Sequence, residues 1–163
     1  MRHFFLAAAL CAAAPAYAQT PAVALASSIT VENAWARATT ALAKAGGVFL
    51  TLTETGGPDR LVGASSPVAG VAELHRSVNE NGVMKMLPVP ELVLETGKTI
   101  ELKPGSYHIM LIDLTQQLKP GATFPVTLRF EKAAPITITV TVTTAGASGP
   151  AHGMQHAHPA PKP

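Results

Sequence analysis

Histidine and methionine fall unevenly along this chain of 163 residues. Beyond the first three residues the histidines are His75, His108, His152, His156 and His158, and the methionines are Met84, Met86, Met110 and Met154. All of them lie in two stretches, 75–110 and 152–158. Methionine used as ordinary core filler would be spread among the strands. On a strand, His108 and Met110 leave the same face because they are two residues apart, and Met84 and Met86 do likewise. A thioether is a soft ligand, and together with imidazole it favours Cu(I) over Zn(II) or the hard, oxygen-loving cations. Methionine also suits an oxidising compartment. It binds without losing a proton and cannot close a disulfide, although it can be oxidised to the sulfoxide. Imidazole must be neutral to ligate, so affinity is expected to fall as pH drops below about 6.5. With no carboxylate or thiolate in the set, Cu(I) would keep its single positive charge, which suits holding and release more than redox turnover. Residue types alone leave two readings open: packed side chains, or a soft metal site.

The rest of the composition removes other classes. The single cysteine is Cys11, and residues 1–18 read as a secretory signal. Arg2 and His3 precede an apolar run from Phe4 to Pro15, and Ala16-Tyr17-Ala18 offers small residues for cleavage before Gln19. A lipoprotein signal acylated at Cys11 is disfavoured because Leu10, not a small residue, precedes it. The expectation is an exported, periplasmic protein with no membrane anchor, since no segment holds the roughly 18–20 continuous apolar residues needed to span a bilayer. Losing Cys11 leaves no disulfide, no zinc–thiolate site, no nucleophilic thiol and no blue-copper site. Twelve basic against ten acidic residues give no basic stripe for nucleic acid. No Ser-His-Asp set or paired-carboxylate pattern with a supporting context is present. A histidine-brace oxygenase would need histidine where Gln19 stands. The chain reads as a non-enzyme.

The elements that must position these ligands are short and β-like. Residues 19–28 are an Ala/Pro-rich, flexible arm. Strand patterns follow at 30–37, 47–53, 60–64, 71–75, 82–87, 99–102, 107–112, 124–130 and 136–142, with turn clusters at Gly56-Gly57-Pro58-Asp59 and Lys103-Pro104-Gly105. Ile136-Thr137-Ile138-Thr139-Val140-Thr141-Val142 alternates as one face in a core and one in water demand. Seven to nine such strands with no long 3.6-residue period indicate an all-β antiparallel sandwich or barrel. That domain spans 29–144. Residues 145–163 are rich in Ala, Gly, Pro and His and lack a hydrophobic period, so they read as a disordered tail.

Across 29–142 the chain resembles the periplasmic copper chaperones of the PCu(A)C family. The family pattern of His, ten residues, Met, twenty-one residues, His, one residue, Met falls on His75, Met86, His108 and Met110. Ala34-Trp35-Ala36-Arg37, Asp59-Arg60-Leu61-Val62-Gly63-Ala64, Glu73-Leu74-His75 and Leu102-Lys103-Pro104-Gly105 also match. The resemblance implies a cupredoxin-like β-sandwich with those four residues as Cu(I) ligands. It implies delivery toward the copper centre of cytochrome c oxidase subunit II, sometimes with a thioredoxin-like copper chaperone as partner, by a monomeric carrier. The alternative is a copper-sequestering resistance protein with no specific acceptor. Ser106 stands where the family often has a second glycine, and Thr53-Glu54-Thr55 replaces an Asn, which touches loops only. Met84 has ligand chemistry at the wrong spacing, so it sits behind the ligands or substitutes for one.

In the tail, His152, Met154, His156 and His158 suit Cu(II), which tolerates nitrogen-rich tetragonal coordination. Ordering a free chain costs entropy, so that site would be the weaker, but it would raise the copper concentration beside the domain. Trp35 is expected in the core, where it would shield one side of the metal. Tyr107 is expected on the face opposite His108, with Arg37 and Arg60 solvated or paired.

Overall fold

In the computed structural model, which describes residues 28–150, every regular element is a strand. They are β1 (Ile29–Arg37), β2 (Ala45–Glu54), β3 (Asp59–Ser65), β4 (Ala69–Glu80), β5 (Val83–Pro88), β6 (Leu92–Leu94), β7 (Thr99–Leu102), β8 (Tyr107–Leu114), β9 (Thr123–Phe130) and β10 (Ile136–Thr143). Hydrogen bonding orders them β5-β4-β8-β2-β1-β10-β9-β3-β6, with β7 beside β2. The expected strands are all present. β6 is additional, because three residues are too few to display a period. All pairings are antiparallel except β1 with β10. β2 changes partner along its length, with Ala45–Val48 against β8 and Leu50–Thr53 against β7. The sheet folds over so that β3 and β4 pack together, enclosing a core of Val48, Leu50, Leu52, Ile109, Leu111, Val126, Leu128 and Val140. Among the described residues no helix is long and apolar enough to cross a membrane.

Three local features set the face opposite that core. In β1, Ile29 and Val31 pack on the core, and so do Ala34 and Ala36. The change from odd to even positions is made by a bulge between Glu32 and Trp35, with Asn33 at φ 54°. It turns Trp35 and Arg37 to the outer face, where Trp35 lies opposite Phe49. The second feature joins β4 to β5: Asn81-Gly82 takes φ 54° and 83°, the two left-handed residues of a tight hairpin turn. The third is Lys103-Pro104-Gly105-Ser106, closed by the Ser106 amide donating to the Lys103 carbonyl at 3.0 Å. Gly105 has φ 80°, the conformation its turn position requires. This turn launches β8.

The tail's first residues are described. Ala147 accepts a hydrogen bond from Arg37 Nε at 2.8 Å. Residues 1–18 and Cys11, with the signal expected there, lie outside the described residues, and so does most of the 19–28 arm.

Candidate metal centre

Strand register brings the two domain histidines together from 33 positions apart. His75 on β4 pairs directly with His108 on β8, and their ring centres stand 6.0 Å apart. Leu74 and Ile109, the adjacent pair, point into the core, so the two rings occupy the outer face. Two imidazoles bound to one ion each place the metal about 3.2 Å from the ring centre, given metal–nitrogen bonds of about 2.0 Å. Ring centres sharing an ion can therefore be up to roughly 6.4 Å apart, and the observed spacing falls inside that limit.

Both rings are buried, and each uses one nitrogen on the protein. His75 Nε2 lies 3.1 Å from Glu73 Oε2, and His108 Nδ1 lies 3.1 Å from the Ser106 carbonyl. The remaining nitrogens, His75 Nδ1 and His108 Nε2, are buried without a hydrogen-bond partner. Such orphaned polar atoms are rare and call for a reason. Burial pushes the His108 pKa below the ordinary imidazole value; the Ser106 carbonyl opposes this and the neighbouring His75 adds to it. A ring kept neutral is a ring able to ligate.

The methionines lie on either side of this pair along the strands. Met110 follows His108 by two residues and sits opposite Glu73, while Met86 on β5 sits opposite Ser77. Strand parity puts both on the face of His75 and His108. Met86, His108 and Met110 line one pocket of about 250 Å³ with Arg37, Phe49 and Ser77. His75, the cross-strand partner of His108, lies beside it but does not line the pocket. Met86 is 58% exposed, so one side of the pocket opens to solvent. Met84 shares the face but pairs with Asn79, a step nearer the hairpin tip, and does not line the pocket. Among the described residues no three imidazole, thiolate or carboxylate groups converge on a point. His152, Met154, His156 and His158 lie outside the described residues.

Several contributors were not singled out in the sequence. Phe49 lies 6.3 Å from His108 and 4.6 Å from Trp35, centre to centre, forming an aromatic wall. Trp35 is buried as expected, but beside Phe49 on the site face rather than in the main core cluster. Among the described residues Arg37 is neither simply solvated nor ion-paired: its guanidinium lies 5.9 Å over Phe49 and lines the pocket. Gly47, opposite Met110, leaves room for this wall, since a Cβ there would stand 3.2 Å from the Phe49 ring. Glu73, two residues before His75 and therefore on its face, was legible from spacing. Tyr107 packs on the core side as expected, with Arg76 over its ring. Arg60 pairs with Glu91 and Glu131.

A family model described as "Putative lipoprotein LpqE-like" matches residues 29–142, a span that contains β1 to β9 and all but the last residue of β10. The chain belongs to this LpqE-like, PCuAC-type family. A "Putative lipoprotein" of Leifsonia xyli subsp. xyli is 35% identical over 130 residues, covering 78% of this chain and 76% of its own. An uncharacterized protein of Rickettsia prowazekii is 37% identical over 86 residues, 52% of this chain and 48% of that one. Among solved structures, apo-DR1885 from Deinococcus radiodurans superposes with a TM-score of 0.57 at 30% identity, covering 88% of this chain and 97% of that one. A copper-bound PCuAC domain from PmoF2 gives 0.63 at 23% identity, covering 73% and 95%, a likeness of fold. The PCuAC-type family thus accounts for the all-β cupredoxin-like architecture.

Proposed function

We propose that this PCuAC-type domain carries one Cu(I) ion as cargo, held by His75, His108, Met86 and Met110, and hands it to an acceptor protein outside the cytoplasm. The observation that carries the reading is the pair of buried, unpartnered ring nitrogens on adjacent strands, with two thioethers lining the adjoining pocket. Two neutral nitrogens and two thioether sulfurs match the softness of Cu(I) and add no charge. A structure of DR1885, 28% identical to this chain, is named for its Cu(I) form, which supports the same cargo. The open side at Met86 supports release to a docked acceptor. The acceptor we favour is the copper centre of cytochrome c oxidase subunit II, with a thioredoxin-like copper chaperone as a second partner. Export rests on the signal pattern in residues 1–18 and on the lipoprotein name of the Leifsonia relative. The tail residues His152, Met154, His156 and His158 are proposed as a weaker Cu(II) site.

The test is Cu(I) competition against a chromogenic chelator, followed by mixing the loaded protein with a purified oxidase copper domain. The expected result is one equivalent of Cu(I) in the 29–144 domain, transferred to the acceptor faster than the copper dissociates into chelator. One extra equivalent of Cu(II) is expected only when the tail is present. Copper that stays put unless a chelator removes it would instead indicate sequestration.

A further inference from the structure

We propose that Glu73 is a positioning residue that locks His75 in the tautomer opposite to that of His108, so that copper meets Nδ1 of one ring and Nε2 of the other. The inference rests on the copper reading above and adds to it which atoms bind and what orients them. A neutral imidazole has one N–H donor and one bare acceptor nitrogen, and the hydrogen bond at one nitrogen decides which is which. Both protein partners here can only accept: a carboxylate oxygen for His75 Nε2 and a backbone carbonyl for His108 Nδ1. Each of those nitrogens must therefore carry the proton. The lone pairs are left on His75 Nδ1 and His108 Nε2, the two ring nitrogens that are buried without a partner.

The asymmetry follows from the kind of anchor each ring has. The backbone carbonyl of Ser106 meets Nδ1, the ring nitrogen nearer the main chain, whereas the longer Glu73 side chain meets Nε2 on the far side of its ring. Glu73 reaches His75 from two residues earlier on β4, whereas the Ser106 carbonyl reaches His108 from two residues earlier on the antiparallel β8. The two anchors thus lie toward opposite ends of the face, and each bare nitrogen is turned away from its own anchor. Glu73 also stands opposite Met110, on the face that carries both imidazoles. A carboxylate behind a ligating imidazole orients the ring and raises its basicity, and losing such a partner typically weakens metal binding 10–100-fold. The Ser106 carbonyl belongs to the backbone and no substitution removes it. Glu73 is the member of the pair that can be tested.

Long-range proton–nitrogen correlation on the copper-free protein at roughly pH 8, above the ordinary imidazole range, reads the tautomers directly. His75 should carry its proton on Nε2 and His108 on Nδ1. In Glu73→Ala the His75 nitrogens should shift toward the averaged values of a ring exchanging tautomers, while those of His108 stay fixed and report an intact fold. Glu73 is 48% exposed at its side chain, so the variant should fold. Cu(I) affinity should fall about 10–100-fold in Glu73→Ala, and Glu73→Gln, which keeps an acceptor oxygen, should restore most of the loss. Equal losses in Glu73→Ala and Glu73→Gln would make the carboxylate a direct copper ligand and overturn the proposal. So would copper binding by a protein with the tautomers reversed, or an affinity indifferent to Glu73→Ala. A wild-type protein with the stated tautomers that takes up no Cu(I) would refute the copper reading, and with it any role of Glu73 toward the ion.

Discussion

Phe49→Ala isolates the contribution of the aromatic wall to the site. The ring is buried, pairs with Trp35 and His108, and carries Arg37 over its face. Truncating a buried phenylalanine costs about 3–5 kcal/mol. Part of that here is the aromatic pair, about 0.5–1.5 kcal/mol, and part the cation–π contact, about 0.5–1 kcal/mol. One flank of the ring meets an open pocket rather than packed core, which favours the lower end, about 3 kcal/mol. For a domain of this size the thermal midpoint should drop roughly 10–15 °C. The more searching experiment is a cycle with Gly47→Ala. In the wild type the added Cβ meets the Phe49 ring at 3.2 Å, which offsets the few tenths to about 1 kcal/mol that alanine gains by restricting the unfolded chain. Without the ring the gain remains and the crowding disappears. Denaturant melts of the four proteins should give a coupling of about 1 kcal/mol, with Gly47→Ala more favourable in the Phe49→Ala background. Cu(I) dissociation into chelator should accelerate in Phe49→Ala as His108 loses its backing. Additive effects, a loss under 1 kcal/mol and unchanged copper kinetics would together refute the wall.

Other consequences follow from the charged and polar groups. Because burial holds the His108 pKa below its unfolded value, the unfolded chain binds more protons as pH falls through about 6.5. Copper-free stability is thus fully present above that pH and declines toward the folded pKa, by at most about 1.4 kcal/mol per pH unit for this group; urea melts from pH 8 to 5 check it. Asp59 is buried with its carboxylate accepting from the amides of Arg60, Lys132 and Ala133. Burial raises its pKa, but those hydrogen bonds outweigh it and the net shift is downward, so its contribution is present above about pH 4 and lost as pH falls through the folded value. Asp59→Ala should cost about 3 kcal/mol in denaturant melts by orphaning those amides, with Cu(I) affinity unchanged.

How far the site could be read in advance depends on which physical signal carries each part. Period-two alternation made the strands visible, and in β10 the alternating Ile136, Ile138, Val140 and Val142 side chains do pack toward the core. The parallel β1–β10 pairing leaves no local trace, since it depends on which edges meet after the sheet folds over. The bulge at Asn33 was equally invisible, and it is what moves Trp35 from the core face to the site face. His75 and His108 could be suspected from residue type, and their direct opposition came only with the register. Glu73 had a local signal, two residues from His75, that spacing could have exposed. Phe49 had none, because its role comes from a neighbour on another strand.

X-ray absorption of the Cu(I)-loaded 29–144 domain tests the central claim most directly, because it counts the atoms bound to the metal. Two nitrogen and two sulfur scatterers are predicted, falling to one sulfur in Met110→Leu. A spectrum with no sulfur at bonding distance, or one that Met110→Leu leaves unchanged, would contradict it.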